Sequence, residues 1–184
     1  MNPDHLGSQL PTLTGDGVVL RWITLDDTAS VLELFSDPEV IRYMTTEQMR
    51  SEADSRGFID KIHAFFTAGT LYQWGAEVDG RLVGTCTLFH IDRQHRRAEI
   101  GFALARSCWG QRVMSRAVPL VLDFGFGVLG LHRIEADADP RNVASIRLLE
   151  RLGFVREGYL RERYFQLGEA QDAVLLGLLR REWM

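Results

Sequence analysis

The sequence predicts a single α/β (α+β) domain, in which a mixed, mostly antiparallel central sheet of about seven strands is flanked by helices. Some segments alternate apolar and polar residues as strands do, others repeat apolar residues as helices do, and one strand–helix–strand segment predicts a right-handed crossover. A chain of 184 residues, 46% apolar and 25% charged, is typical of one domain with its own core. We expect residues 1–16 to form a flexible lead-in and residues 17–184 a single domain.

The first part of the domain predicts one strand and three helices. Residues 18–23 (VVLRWI) are β-branched and aromatic, which is typical of a strand. Residues 26–35 (DDTASVLELF) place their apolar side chains on one helical face. Asp37 and Pro38 predict the start of a second helix, because aspartate caps helices and proline suits the first helical position. A third helix lies within residues 45–69 and is expected to end at Gly69.

Three antiparallel strands are expected next. Residues 71–78 (LYQWGAEV) alternate with a period of two, and Asp79-Gly80 is the dipeptide of a tight hairpin turn. Residues 81–92 (RLVGTCTLFHID) return as the partner strand. After a short basic connection, residues 98–105 (AEIGFALA) form the third strand of this meander.

The last part predicts two helices and three strands. The segments are a helix at 113–126 that Pro119 should kink, a strand at 131–139, a helix at 140–154, and closing strands at 154–165 and 172–183. Because one helix joins the strands at 98–105 and 131–139, a right-handed crossover should make them parallel neighbours or near neighbours.

Composition narrows the class of protein. The formal net charge is −4, from 21 basic and 25 acidic side chains, which argues against a nucleic-acid partner. Two cysteines, Cys86 and Cys108, make no disulfide framework. The start lacks the pattern of a signal peptide, and the apolar stretch at 117–131 is interrupted by Asp123 and too short to cross a bilayer. We therefore expect a cytoplasmic protein with no membrane partner.

Several familiar site patterns fail on context. Gly125, Gly127 and Gly130 match the dinucleotide pattern G-x-G-x-x-G, but a helix precedes them and a strand follows, which is the reverse of the required order. The cysteines lack a histidine partner for nucleophilic catalysis. The histidines lack metal-ligand spacing, so we expect no metal.

The loop at Trp109–Arg112 has the order that the glycine pattern lacks. A strand ends near Ala105, Gly110 follows, and an apolar helix begins. The first N–H groups of such a helix are unpaired and suit a phosphate, and a glycine lets the backbone approach it closely. An ordinary turn containing a glycine is the alternative.

Two glutamates lie in the strands that the crossover joins. Glu99 precedes the loop and Glu135 follows its helix, so both carboxylates could reach one cleft and act as a general base on an amine. The alternative is that one of them merely pairs with Arg97 or Arg133.

The motifs taken together resemble the GNAT superfamily of N-acetyltransferases, and more narrowly its ribosomal-protein serine/alanine branch. The resemblance rests on "RLVGTCTL", "RAEIGFALARSCWGQRVMSRAV", "LGLHRIEADADPRNVASIRLLERLGFVREG" and "DAVLLGLL", and it covers nearly the whole chain from residue 18. It implies a GNAT-like fold, acetyl-CoA as the acyl-donor cosubstrate and an amine as the acceptor.

The resemblance also implies which residues bind acetyl-CoA. One strand would pair with the pantetheine arm and polarise the thioester oxygen through its amides, and the loop from Ser107 to Met114 would hold the pyrophosphate. In that loop Ser107 replaces the family's Gln/Arg and Arg112 its final Gly/Ala, and we expect the Arg112 side chain to point outward or to fold over the pyrophosphate. The implied cofactor-binding residues are Phe102, Ala103, Leu104, Trp109, Gly110, Gln111, Arg112, Val113, Met114, Asn142 and Ser145.

For catalysis, the tyrosine that many relatives use to protonate the leaving thiolate corresponds here to Leu149. The ribosomal-protein branch has a serine at Ser145, which is the candidate proton donor. We rank Glu135 ahead of Glu99 as the base, and a water chain could serve either. The implied mechanism is direct attack of a neutral amine, without an acyl-enzyme.

These observations predict an acetyl-CoA-dependent N-acetyltransferase whose acceptor is a protein N-terminal α-amine. The alternatives are a small-molecule amine (a polyamine, an amino acid or an antibiotic) and a catalytically silent acyl-CoA-binding module. A nicotinamide-dependent enzyme would rest only on the glycine pattern. Since relatives often pair, a homodimer is a further expectation.

Overall fold

The computed structural model describes residues 6–166 and 168–183, and it contains one eight-stranded sheet in the order β1-β2-β3-β4-β5-β6-β8-β7. The strands are β1 (Leu13–Gly15), β2 (Val18–Arg21), β3 (Leu71–Val78), β4 (Arg81–Asp92), β5 (Arg97–Leu104), β6 (Arg133–Ala138), β7 (Val155–Gln166) and β8 (Glu169–Leu179). The helices are α1 (Thr28–Ser36), α2 (Pro38–Ile41), α3 (Glu52–Thr67), α4 (Val113–Asp123), α5 (Val143–Arg151) and α6 (Arg180–Trp183).

Most of the predicted elements are present, with the predicted connections. Asp79 and Gly80 both have positive φ, at 50° and 78°, as the tight turn between β3 and β4 requires. Asp37 caps α2, since its side chain accepts from the Glu39 N–H. β5 and β6 are parallel neighbours, and each other adjacent pair in the described sheet is antiparallel.

The eighth strand lies in the segment for which the sequence predicts a flexible lead-in. β1 pairs with β2 at the edge of the sheet. Leu10 is buried, and the Trp74 indole donates to the Pro11 carbonyl at 2.9 Å. Long-range contacts from β3 thus hold a segment that has little strand pattern of its own, while residues 1–5 of the lead-in lie outside the described residues.

The last predicted strand ends earlier than expected. β8 stops at Leu179, and Arg180–Trp183 form the helical turn α6. The Glu182 carboxylate accepts from the Leu179 N–H at 2.9 Å, and the Trp183 indole donates to Asp123 at 2.8 Å. These side-chain bonds turn the chain away from the sheet. Asp123 is the last residue of α4. This helix contains Pro119, and it continues as a π-helical turn at Phe124–Val128.

The two faces of the sheet are covered by different helices. On the α4 face, α4 and α5 pack on a large apolar cluster that includes Trp74, Leu88, Ile100 and Ile134. On the α1 face, α1 and α3 pack on a smaller cluster around Phe35. Because strand side chains alternate between faces, the odd-numbered residues of β5 and β6 lie on the α1 face.

Candidate active site

β5 and β6 pair along only part of their length. Their register joins Arg97 to Arg133, residue 98 to residue 134, and Glu99 to Glu135. Beyond the two glutamates the strands diverge, while β5 stays paired with β4 and β6 with β8. The divergence creates a V-shaped gap, the β5–β6 opening, with Glu99 and Glu135 at its apex on the α1 face.

The β5 side of this opening presents backbone groups. The Ala105 N–H donates to the Val83 carbonyl at 2.8 Å, so in the antiparallel ladder Ala103 also turns its backbone toward β4. Phe102 and Leu104 therefore point theirs into the opening. The Leu104 carbonyl accepts from the Trp109 indole at 2.8 Å, which leaves the N–H groups of Phe102 and Leu104 and the Phe102 carbonyl for a ligand.

The loop after β5 has two residues in left-handed conformation. Gly110 has φ 77° and Arg112, immediately before α4, has φ 59°. A Cβ at Gly110 would meet nothing within 4 Å, so glycine is favoured there for its backbone angle and not for space. The Gln111 side chain donates to the Ser107 carbonyl at 2.9 Å and braces the loop.

The N-terminus of α4 has no side-chain cap among the described residues. The first N–H groups of any helix lack a partner within it, so here they are available, together with the loop, to an anion. The Val113 and Met114 side chains, which the resemblance implies bind the cofactor, are buried in the core. These two residues can offer only their backbone.

Asn142 and Ser145 lie together at the start of α5. The Asn142 side-chain oxygen accepts from the Ser145 N–H at 3.2 Å, which makes Asn142 the N-cap of this helix. Both residues are half-buried. Leu149 is 2% exposed in the core, so this position offers no proton donor, and the Ser145 hydroxyl is the predicted group on this helix.

The two glutamates at the apex have different partners. Glu135 accepts from Arg97 through one oxygen at 3.0 Å and from Arg133 through the other at 2.7 Å. Glu99 lies 2.9 Å from Nδ1 of His90, which has φ 49° at an irregularity of β4. The ion-pair alternative considered for the sequence is thus present at Glu135, with both arginines.

The ion pairs at Glu135 extend across two further strands. Arg133 also binds Glu157 on β7, and this contact holds the pKa of Glu157 below its usual value. Arg133 reaches Glu157 across β8 at Gly177, where a Cβ would lie 2.5 Å from its guanidinium. The sequence gives no sign of this connection, because β7 and β8 follow β6 in the chain but lie in the order β6-β8-β7.

A second polar group on the α1 face was also not predicted. Asp137 of β6 accepts from the Tyr164 hydroxyl at 2.9 Å, and Arg163 contacts the same oxygen at 3.4 Å. Burial raises the pKa of Tyr164 to about 12, and the hydrogen bond to Asp137 adds to this effect. Alternation along β6 is the only sequence signal that could have placed Asp137 beside Glu135.

The other candidate groups give no catalytic site. Burial raises the pKa of the Cys86 thiol to about 12, so it is a poor nucleophile. The glycines of the dinucleotide pattern lie in and just after the π-helical turn, which confirms that they end a helix. Within residues 6–166 and 168–183, no three acidic, histidine or cysteine side chains are grouped as metal ligands, and no helix is long and apolar enough to cross a membrane.

Comparison with known proteins identifies this arrangement. A family model described as an acetyltransferase (GNAT) domain matches residues 18–155. The chain belongs to the GNAT acetyltransferase family. It is therefore an acetyl-CoA-dependent N-acetyltransferase, and the resemblance seen in its motifs is confirmed.

Individual GNAT relatives agree over nearly the full length. The uncharacterized N-acetyltransferase p20 of Bacillus licheniformis is 35% identical over 95% of this chain and 99% of its own. The spermidine N(1)-acetyltransferase of Escherichia coli (strain K12) is 28% identical over 91% of this chain and 88% of its own. The structure of Mycobacterium smegmatis RimJ in complex with CoA-disulfide has a TM-score of 0.85 at 25% identity, over 94% of this chain and 87% of RimJ.

A GNAT acetyltransferase must also admit an acceptor. A cleft of about 340 Å³ lies between the α1–α2 segment and the end of β5, and it is lined by Glu33, Asp37, Val40, Ala105, Arg106 and Ser107. Its two carboxylates are paired, Glu33 with Arg81 and Asp37 with Arg106. This cleft adjoins both the loop from Ser107 to Met114 and the α1 face.

Proposed function

We propose that this GNAT acetyltransferase transfers the acetyl group of acetyl-CoA to the N-terminal α-amine of a polypeptide. The observation that supports this acceptor is that the carboxylates on the α1 face have basic partners. They pair as Glu33–Arg81, Asp37–Arg106, Asp92–Arg97, Glu135–Arg133, Glu157–Arg133, Asp137–Arg163 and Glu99–His90, and Arg133 is shared by two of them. A polyamine carries several positive charges and binds best to carboxylates without basic partners, whereas an α-amine carries one charge at most.

The ordinary pKa of an α-amine supports the same choice. It is about 7.7–8.0, against about 10.4 for a lysine-type amine, so a large share of α-amines is already neutral near pH 7.5. Such an acceptor needs only modest help from a base. A carboxylate at the apex of the β5–β6 opening, where Glu99 and Glu135 lie, is sufficient as that base.

For the base we favour Glu99 over Glu135, which reverses the ranking made from the sequence. Both oxygens of Glu135 already accept hydrogen bonds from arginines. Among the described residues Glu99 has one hydrogen-bond partner, the imidazole of His90, whose side chain is 73% exposed. Glu99 can therefore take the amine proton, and His90 can pass it to solvent.

We assign the remaining roles as the resemblance implies them, and the placement of the residues supports this assignment. When bound, acetyl-CoA supplies the activated acetyl group. The N–H groups of Phe102 and Leu104 can bind the pantetheine arm and the carbonyl oxygen that gains charge during transfer. Gly110, Arg112 and the start of α4 would hold the pyrophosphate, and Ser145 would donate a proton to the leaving sulfur. A cytoplasmic location and a homodimer remain predictions.

A small-molecule amine is the second candidate. The observation that favours it is the 28% identity to the spermidine enzyme over 91% of this chain. This candidate is tested on the same preparation by the turnover of spermidine.

The experiment measures CoA release with four acceptors: a short peptide amide beginning with serine, the same peptide beginning with alanine, its N-terminally blocked form, and spermidine. We expect turnover of the free peptides and none of the blocked control. Turnover of spermidine without turnover of either free peptide would contradict the proposal and establish the second candidate.

A further inference from the structure

Asp137 occupies a specific place in the β5–β6 opening. It lies two residues beyond Glu135 on the same face of β6, where the strand no longer pairs with β5. Continuing the register places Gly101 on the opposite side, two residues beyond Glu99. Because Gly101 has no side chain, β5 does not fill the space in front of Asp137; Phe89 of β4 packs against Gly101, 3.2 Å from where a Cβ would lie.

The carboxylate of Asp137 is only half satisfied. Its side chain is 10% exposed. One oxygen accepts from Tyr164 and contacts Arg163, whereas the other, Oδ1, is buried and has no hydrogen-bond partner among the described residues. Buried polar atoms in folded proteins nearly always have a partner, and an unpaired one lowers stability. An atom of this kind in an active-site opening indicates a ligand that donates a hydrogen bond.

The shape of β7 explains why Tyr164 reaches β6. The register of β7 with β8 shifts between Leu160 and Tyr164, and Glu162 within this bulge has φ 53°. Bulges of this type redirect side chains and are common beside active sites. With its pKa raised to about 12, the Tyr164 hydroxyl stays protonated near neutral pH and donates to Asp137. This donation holds one oxygen and leaves Oδ1 for another donor.

We propose that Oδ1 of Asp137 accepts a hydrogen bond from the amino group of the acceptor, and that Tyr164 is its positioning residue. This inference rests on the proposed function, and it adds the group that binds the reacting amine. The amine reaches Oδ1 after local movement of the surrounding side chains, of which Arg163 makes the longest contact and is 48% exposed. The proton of the bound amine still leaves to Glu99.

The test is Asp137→Asn, measured with the wild type's best acceptor from the peptide and spermidine panel. Asparagine keeps an oxygen for Tyr164 and replaces Oδ1 by an N–H donor. We expect the KM for the acceptor to rise about 10- to 100-fold, as for one lost charge-assisted hydrogen bond. The KM for acetyl-CoA should stay unchanged, and Tm should stay close to that of the wild type, because Tyr164 keeps an acceptor and Oδ1 has no hydrogen-bond partner to lose among the described residues.

Asp123→Asn is the control. Asp123 also accepts from an aromatic side chain, the Trp183 indole at 2.8 Å, but it is the last residue of α4 and, in the described part of the chain, has no hydrogen bond or ion pair with β7. It should leave both KM values unchanged. Tyr164→Phe retains the charge of Asp137 but removes the hydroxyl that positions this carboxylate. It should raise only the acceptor KM, by about 3- to 10-fold.

The outcomes separate this inference from the proposed function. If the wild type uses spermidine and not peptides, the proposed acceptor is wrong, yet Asp137→Asn still tests amine binding with spermidine. An unchanged acceptor KM in Asp137→Asn, or equal increases in both KM values, would show that Asp137 is structural. If that variant does not fold, an unchanged acceptor KM in Tyr164→Phe overturns the inference. A wild type that uses no acceptor overturns both proposals.

Discussion

The α4 face and the α1 face of the sheet present different chemical groups. The α4 face is a large apolar cluster, and the functional groups that we propose beside it are backbone atoms of β5, the following loop and the start of α4. The α1 face has a smaller apolar cluster and, beside it, a set of paired charges from β4, β5, β6 and β7. From this difference we infer a division between the two substrates, in which backbone groups bind acetyl-CoA and side chains bind the acceptor amine.

The division predicts that single side-chain changes on the α1 face affect chemistry most. Glu99→Gln should lower kcat about 10²- to 10⁴-fold near pH 7, the usual contribution of a general base. The deficit should shrink as pH rises past about 8, because an α-amine acceptor then loses its own proton. A pH–rate profile with a peptide acceptor measures both effects.

Glu135→Gln is the comparison for Glu99→Gln. It removes a carboxylate from the same apex but leaves the Glu99–His90 pair. We expect a fall in kcat of less than about tenfold, with a lower Tm because Arg97 and Arg133 lose a shared partner. If Glu135→Gln abolishes turnover and Glu99→Gln does not, the ranking made from the sequence was right and ours is wrong.

On the α4 face, a change in packing should lower the stability of the fold and weaken the binding of acetyl-CoA. At Gly84 of β4 a Cβ would lie 2.4 Å from the Ala103 carbonyl and 2.8 Å from Met114. Gly84→Ala should therefore destabilise the fold by about 1–3 kcal/mol and raise the KM for acetyl-CoA. Thermal unfolding and initial-rate kinetics test the two effects.

Gly57→Ala is the control on the helix side of the α1 face. Gly57 is exposed in α3, and a Cβ there would meet nothing within 4 Å. Alanine should stabilise that helix by about 0.5–1 kcal/mol with no change in kinetics. Equal effects of the two alanine substitutions would contradict the packing argument.

The same division explains what the sequence could predict. The loop at Gly110 and the crossover from β5 to β6 are local, so spacing and flanking elements were enough to find them. The Asp137–Tyr164 contact spans 27 residues and depends on a bulge that no composition announces. The strand Leu13–Gly15 was missed because three residues show no alternation, and pairing with β2 forms it.

The helices of the α1 face also depend on a paired charge, which makes them sensitive to acid. Arg21 binds both oxygens of Asp27, at 2.8 and 2.7 Å, at the start of α1. Burial opposes ionisation of Asp27, but the bonds from Arg21 and from the Thr24 N–H outweigh it, so its pKa lies below the usual value. Its folded-state pKa being depressed, the stabilisation is present above about pH 4 and is lost as pH falls through the folded pKa.

Asp27→Asn should therefore cost about 1.5 kcal/mol at pH 7, and the difference in Tm from the wild type should close below about pH 4. Glu39→Gln is the control, because its ion pair with Arg42 is exposed and 3.4 Å long. That substitution should change Tm little at any pH. If the Tm difference between Asp27→Asn and the wild type stays constant down to pH 3, the charge of Asp27 does not contribute to stability.

The smallest expected effect concerns Arg112, where backbone angle and charge can be separated. A non-glycine residue at φ 59° costs about 1 kcal/mol relative to glycine. Arg112→Gly should therefore raise the free energy of unfolding by about that amount, whereas Arg112→Ala removes the same charge but keeps most of the strain. If the guanidinium folds over the pyrophosphate, both variants should bind acetyl-CoA more weakly and with a smaller salt dependence. Unchanged affinity in both would leave the arginine pointing outward, and the donor would then depend on backbone groups in this loop, as the contrast between the two faces predicts.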